Sequence, residues 1–351
     1  MAIDDIAPAG GHRRREAGFS MIELIIAAAL LALMAVTVAS LSVSGADAQE
    51  YAGRLNRVTE LTQDMVDRMR LELVSSVRQF GNDTEGNANL AVFDLTGMPA
   101  RLPGSRLATI SPGDSLRTDT AGSEITGNSL FFTKLAWTER FVGTSGNEYL
   151  IDVYRWVYYY LTPVDGGPQA GRPTGLDLVR VVSEPLADAG AIDRITDATD
   201  LEEVLIHLQT ATADADGIVH DACDVVWQRG GDPAVTGTLR QIDGSAGTLE
   251  DDPFGGRPDP WRVLRADEGV PGQLEYRHHS VATNFSQASF GVGRYGIVST
   301  SGSGFPHGFE VQVVGPSSAR QVLLHLVVSS TNRRGRPAWS NVQVVVDGRD
   351  L

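Results

Sequence analysis

The residues best able to do chemistry are few and scattered. His12, His207, His220, His278, His279, His307 and His325 form no catalytic or zinc-binding pattern with their neighbours. His220-Asp221-Ala222-Cys223-Asp224 is the densest donor cluster, but a lone His-x-x-Cys has no second pair at zinc-finger spacing. Asp214-Ala215-Asp216-Gly217 resembles the centre of a calcium loop. The EF-hand register, however, puts Thr212 at the first ligand and Cys223 where a bidentate glutamate belongs. Gly291-Val292-Gly293 and Ser301-Gly302-Ser303-Gly304 lack the lysine and helix start of a phosphate loop, and they lack the Gly-x-Ser-x-Gly of a nucleophile elbow. Arg333-Arg334-Gly335-Arg336 reads as a solubilising basic turn between two strands. These patterns predict no catalytic residue, no cofactor and no metal ligand, hence a protein that is not an enzyme.

One acid stands apart. Glu23 lies just ahead of Leu24 to Val43, 20 residues without a charge. As a helix rising about 1.5 Å per residue, that run is about 30 Å long, the thickness of a bilayer's hydrocarbon core. An unpaired carboxylate costs on the order of 2 to 3 kcal/mol at mid-bilayer depth and less near the interface. Glu23 therefore asks for a partner. Arg13-Arg14-Arg15 precede the run and Asp47 follows it, so the positive-inside bias leaves the amino end in the cytoplasm and sends about 300 residues outward. An ordinary secretory signal is the plain alternative, with Ser42-Val43-Ser44 or Ala46-Asp47-Ala48 as loose cleavage sites. Its apolar core would normally be only about 7 to 15 residues.

Gly18-Phe19-Ser20-Met21-Ile22-Glu23-Leu24 resembles the class III signal of type IV prepilins and type II secretion pseudopilins. The resemblance implies that a prepilin peptidase cuts after Gly18 and methylates the new amine of Phe19. Cleavage falls ahead of the apolar run and leaves it attached. It also implies that Glu23, fifth from Phe19, serves subunit register and assembly. A new ammonium and a carboxylate neutralise one another in a low-dielectric setting. The bland reading of Glu23 is a first-turn acid favoured by the helix dipole. Trp156 to Leu161 followed by Leu176 to Arg180, a tyrosine-rich strand and then Leu-x-Leu-x-Arg, is similar to PilW-like minor pilins and J-type minor pseudopilins. In such proteins the implied partners are the prepilin peptidase, other pilin or pseudopilin subunits and inner-membrane lipid. Some pseudopilins bind calcium in irregular loops, so residues 193–200 or 214–216 are open to that reading beside the simpler one of solvated acidic loops.

Beyond the span, Leu55, Val58, Met65, Met69, Leu73, Val77 and Phe80 recur at mostly three- and four-residue steps. This spacing predicts an amphipathic continuation of the helix to Gly81, loosened near Gly45 and Gly53, with one apolar stripe laid on a sheet. Strands are expected at Ser129 to Trp137, Tyr149 to Leu161 and Gly175 to Pro185, then at Phe309 to Val314, Gln321 to Ser330 and Asn341 to Asp347. In the second strand both faces carry large apolar groups, which means either burial on both sides or an aromatic docking row. Leu201 to Gln209 reads as a short helix, and Arg229 to Asp259 as loop.

The expected organisation is a leader at 1–18, a transmembrane helix at 19–45, its amphipathic continuation at 46–81 and an extracytoplasmic α+β domain at 82–351. The fold class is α+β, with the long helix packed on an antiparallel sheet in the manner of a pilin. A formal net charge of -15 repels phosphate backbones, so no nucleic-acid partner is expected. The single cysteine, Cys223, excludes an intramolecular disulfide. The resemblance, together with the size of the globular region, implies a minor pilin or minor pseudopilin of the inner membrane, acting in assembly initiation or at a filament tip. Its rival is a signal-anchored extracytoplasmic hydrolase or binding module.

Overall fold

The apolar run and the amphipathic stretch after it form one helix, α1 (Met21–Val74), which takes in both Gly45 and Gly53. The computed structural model describes residues 20–93, 95, 98–116, 125–163, 176–213, 219–228, 239–242, 261–262, 280–282, 308–331 and 337–348. By contacts the chain divides into Met1–Gly53 and Arg54–Leu351. In the first unit the helix is exposed on every side. In the second, Val58, Met65, Val66, Met69 and Leu73 are buried as the apolar stripe that the spacing predicts.

After α1 come β1 (Ser76–Phe80), α2 (Thr84–Val92), β2 (Ile110–Ser111), β3 (Leu130–Val142), β4 (Glu148–Pro163), β5 (Leu176–Val182) and β6 (Leu186–Asp188). Two helices follow, α3 (Ala189–Ile192) and α4 (Ala198–Leu208), then β7 (Thr212–Ala213), β8 (Val219–His220), β9 (Val225–Trp227) and β10 (Leu239–Gln241). The chain closes with β11 (Trp261–Arg262), β12 (Ser280–Val281), β13 (Phe309–Val314), β14 (Arg320–Thr331) and β15 (Pro337–Gly348). The α+β expectation holds, with most strands in one curled sheet. Antiparallel pairs β3–β4, β4–β5, β13–β14 and β14–β15 form its body, while β2–β13 and β6–β9 are parallel. The residues just ahead of β3 reach back to β13, where Gly127 and Val311 exchange two backbone bonds of 2.9 Å. Gly127 has to be glycine there, because a Cβ would lie 2.3 Å from the Ala108 nitrogen.

The alternation along β4 divides the core. Val157, Tyr159 and Leu161 meet the α1 stripe and the inner residues of β5, β13 and β14. Tyr154, Trp156, Tyr158 and Tyr160 turn the other way into an aromatic cluster with Phe80, Phe93, Phe131 and Trp227. Trp156, Tyr158 and Tyr160 are fully buried, so of the two readings of this row, burial on both faces is correct. Each such ring removes enough apolar surface from water to contribute roughly 1.5 to 3 kcal/mol. Edge contacts of Trp156 with Phe93 and Phe131, at 5.8 and 5.7 Å, add orientation.

The helix ends seven residues earlier than the spacing predicts. Val77 and Phe80 fit a helical period, but both are buried in β1, which pairs with β3. Ser75 begins the change, its hydroxyl bonding back to the Glu72 carbonyl at 2.8 Å. Phe80 then stacks on Phe131 at 4.5 Å. Asp83, expected in a plain turn, accepts from the Gly86 N–H at 2.7 Å and caps α2. Leu239–Gln241, inside the stretch expected as loop, pairs with β9.

An ionic hub fastens the last turn of α1 to three strands. The Glu72 carboxylate accepts from Lys134 Nζ of β3 at 2.8 Å, from Arg180 Nε of β5 at 3.0 Å and from the Tyr159 hydroxyl of β4. Burial alone would raise its pKa, but Arg180, Lys134 and Tyr159 together lower it to about 2. A carboxylate depressed in the folded state stabilises above its unfolded pKa and loses that contribution as pH falls through the folded value. Stability should therefore drop on acidification from about pH 4.5 to about pH 2, by on the order of 2 to 3 kcal/mol from this group. Denaturant titrations across that window check it: Glu72→Gln should flatten the slope, and an unchanged slope contradicts the assignment.

Candidate functional site

The candidate site is the head of α1. Its first helical backbone bond runs from the Leu24 N–H to the Ser20 carbonyl at 3.1 Å, so the helix is capped at Ser20. The Ser20 N–H donates to Glu23 Oε2 at 2.9 Å, and the Glu23 N–H donates to Ser20 Oγ at 3.4 Å. This is the reciprocal arrangement of a capping box, which satisfies two of the orphan donors at a helix start. Ser20 caps the helix, a structural role that weighing Glu23 alone overlooks. The spacing Ser-x-x-Glu ahead of an apolar run is its signal in the sequence.

From Leu24 to Val43 the exposed helix surface is uncharged and predominantly apolar. Met21 is 81% exposed and Val43 58%, with the large side chains between them exposed as well. The helix is long and apolar enough to cross a membrane. Two of its hydroxyls bond within the helix, Thr37 donating to the Met34 carbonyl at 2.8 Å and Ser40 to that of Thr37 at 2.9 Å. An amphipathic helix of a soluble domain would bury such side chains. Here they are left for lipid or for other helices.

Residues 13–39 match the family model of the prokaryotic N-terminal methylation motif. The head of this chain carries a prepilin-type signal. That match takes in Gly18, Phe19, Ser20, Glu23 and the first part of the apolar run. It supports processing by prepilin peptidase and anchoring of the chain in a membrane by the helix that follows the signal. Gly18, Phe19 and the three arginines lie outside the described residues. No curated protein and no solved structure matches the chain.

The other candidates do not come together as a site. His220 stacks on Trp137 at 4.5 Å. Cys223 is buried in the apolar cluster around α3 and α4, where burial pushes its thiol up to about 12. It should resist alkylation by a thiol reagent at pH 8 in the folded protein and react once the chain is denatured; rapid labelling of native protein contradicts that placement. Within the acidic stretch 193–200, Asp197 caps α4 through the Thr199 and Asp200 N–H groups. Asp200 clamps the β3–β4 hairpin, accepting from the Ser145 N–H at 3.1 Å and the Tyr149 hydroxyl at 2.7 Å. The bonds from Ser145 and Tyr149 lower its pKa. Both acids thus have structural work. His207 meets Glu139 at 2.8 Å, and the buried His325 lies between Glu310 and Asn341, each at 2.6 Å. Among the described residues no group of three or more His, Cys, Asp or Glu is placed to hold a metal ion. Asp214 to Asp216, the two glycine-rich segments at 291–293 and 301–304, and the basic turn at 333–336 lie outside the described residues.

Proposed function

We propose that this chain is a minor pilin or minor pseudopilin, cut after Gly18, methylated at Phe19 and built by its apolar helix into a type IV pilus or type II secretion pseudopilus. Its work is assembly initiation or a place at the tip, and it is not an enzyme. The observation that carries the reading is the methylation signal set directly on an exposed apolar helix. In this reading the outer domain is extracytoplasmic. Its size, with some 270 residues beyond the helix, favours a minor subunit over a simple major one. Glu23 supplies charge pairing and register, and the sheet domain selects which neighbours it meets.

Glu23→Ala tests the role of the acid. The variant should insert in the membrane as the wild type does, because removing a carboxylate from the lipid boundary only makes insertion easier. Its recovery in sheared filaments or cross-linked assemblies should fall about tenfold or more, the factor that corresponds to roughly 1.4 kcal/mol of lost pairing. Undiminished incorporation contradicts the assembly role.

A further inference from the structure

From Ala338 to Val346 the strand β15 carries no charge and no proline, and Val342, Val344, Val345 and Val346 give it high β propensity. It is an edge strand. Among the described residues its one strand neighbour is β14, paired along the whole length without a bulge. The far end is closed, because a Cβ at Gly348 would lie 2.1 Å from Gln79 Nε2 of β1. The rest is a long edge without the lysines, prolines or bulges that usually keep sheet edges from pairing. Its apolar side chains are incompletely covered. Val342 and Val344 are only partly buried against the main core, and Val345 on the opposite face is 47% exposed.

The strand is also complementary to itself. In an antiparallel pair, directly opposed side chains lie on the same face of the sheet, so odd-numbered residues of one copy meet odd-numbered residues of the other. A pairing centred on Val342 sets Trp339 against Val345 and Asn341 against Gln343 on the outer face. On the core face it sets Ser340 against Val344 and Val342 against itself. On the outer face, then, apolar meets apolar and amide meets amide. A centre one residue on, at Gln343, would instead put Trp339 against Asp347 and Asn341 against Val345. Asn341 Oδ1 already meets His325 Nε2 at 2.6 Å, which leaves the N–H groups of that amide for Gln343 Oε1 of the second copy. Asp347 lies beyond the paired stretch, so no like charges face one another.

We propose that β15 is a docking edge for a second copy of this chain, joined antiparallel over residues 339–345 about a two-fold axis through Val342. The two sheets become continuous, and the half-covered valines of each copy are covered by those of the other. The interface is isologous and closes on itself, giving a dimer and no open array. Anchoring both copies in one membrane raises their effective concentration, so a short strand pair suffices. The inference concerns the sheet domain alone and does not rest on the filament reading.

The axis makes Val342 its own partner, and cross-linking reads that directly. The full chain carrying Val342→Cys is oxidised mildly in its own membranes and run on a non-reducing gel, with wild type, whose Cys223 is buried, as the background. Opposed residues of an antiparallel pair stand about 4.5 to 5.5 Å apart at Cα, within the reach of a disulfide. Val345→Cys is the control. Val345 is more exposed than Val342, but in this register it and its copy are about 20 Å apart along the strands. The disulfide-linked dimer of this chain should be about tenfold or more as abundant for Val342→Cys as for Val345→Cys. Adding Gln343→Lys and Val345→Lys, which put guarding charges on the edge, should bring the Val342→Cys dimer down to the control level. Val345→Cys cross-linking as readily as Val342→Cys would be chance collision and overturns the proposal, as does no dimer in either variant. Linkage of Val342→Cys to a different polypeptide assigns the edge to another occupant and overturns it too.

Discussion

With Gly18 replaced by valine, the chain is expected to accumulate in the membrane with its 18-residue leader still attached. The resemblance to prepilins places the peptidase's cut directly after this glycine. A pocket shaped for no side chain rejects added methyl and methylene groups by roughly a hundredfold or more. Gel mobility of membrane-extracted protein shows the result as a single heavier band in place of the processed one. The apolar helix lies beyond the bond and is untouched, so insertion should be normal. A signal-anchored hydrolase or binding module would be indifferent to this substitution. Unchanged processing in cells that hold the peptidase would remove the main support for a filament subunit.

The second large effect belongs to Glu72. Glu72→Ala takes the common acceptor away from Lys134, Arg180 and Tyr159 and leaves two cations close together in a mostly buried setting. Removing one partner of a buried ion pair typically destabilises by about 3 to 5 kcal/mol, a large share of the roughly 5 to 15 kcal/mol by which a domain is stable. Denaturant unfolding of the detergent-solubilised full chain, followed by tryptophan fluorescence, measures it. Trp156 and Trp227 sit in the core that should open. A loss under about 1 kcal/mol would mean that the hub decorates the helix–sheet contact and does not hold it. Glu72→Gln should lose less, because an amide oxygen still accepts from one donor.

Legibility in the sequence depends on how local each signal is. The span at the head of α1 needs only length and the absence of charge, and β4, β5, β13, β14 and β15 announce themselves by β-branched and aromatic runs of strand length. Val77 and Phe80 mislead because three-residue spacing suits a helix, while their burial in β1 is decided by Phe131 and Trp156, which lie more than fifty residues on. Asp83 has the character of a turn former and is also a helix cap, a distinction made only by the residues of α2 itself. The Glu72 hub has no local signal at all. Its donors lie 62, 87 and 108 residues away and meet because β3 and β5 flank β4. At the head of the chain the family signature and Glu23 are visible. The role of Ser20 emerges only when the motif is read also as a helix start.

The first residue of the mature chain is the most direct test. Mass spectrometry of the amino terminus of protein extracted from native membranes should find a chain that begins with methylated Phe19, followed by Ser20 and the intact apolar helix. A terminus downstream of Ser44, or an intact Met1 in cells that possess the peptidase, would contradict it.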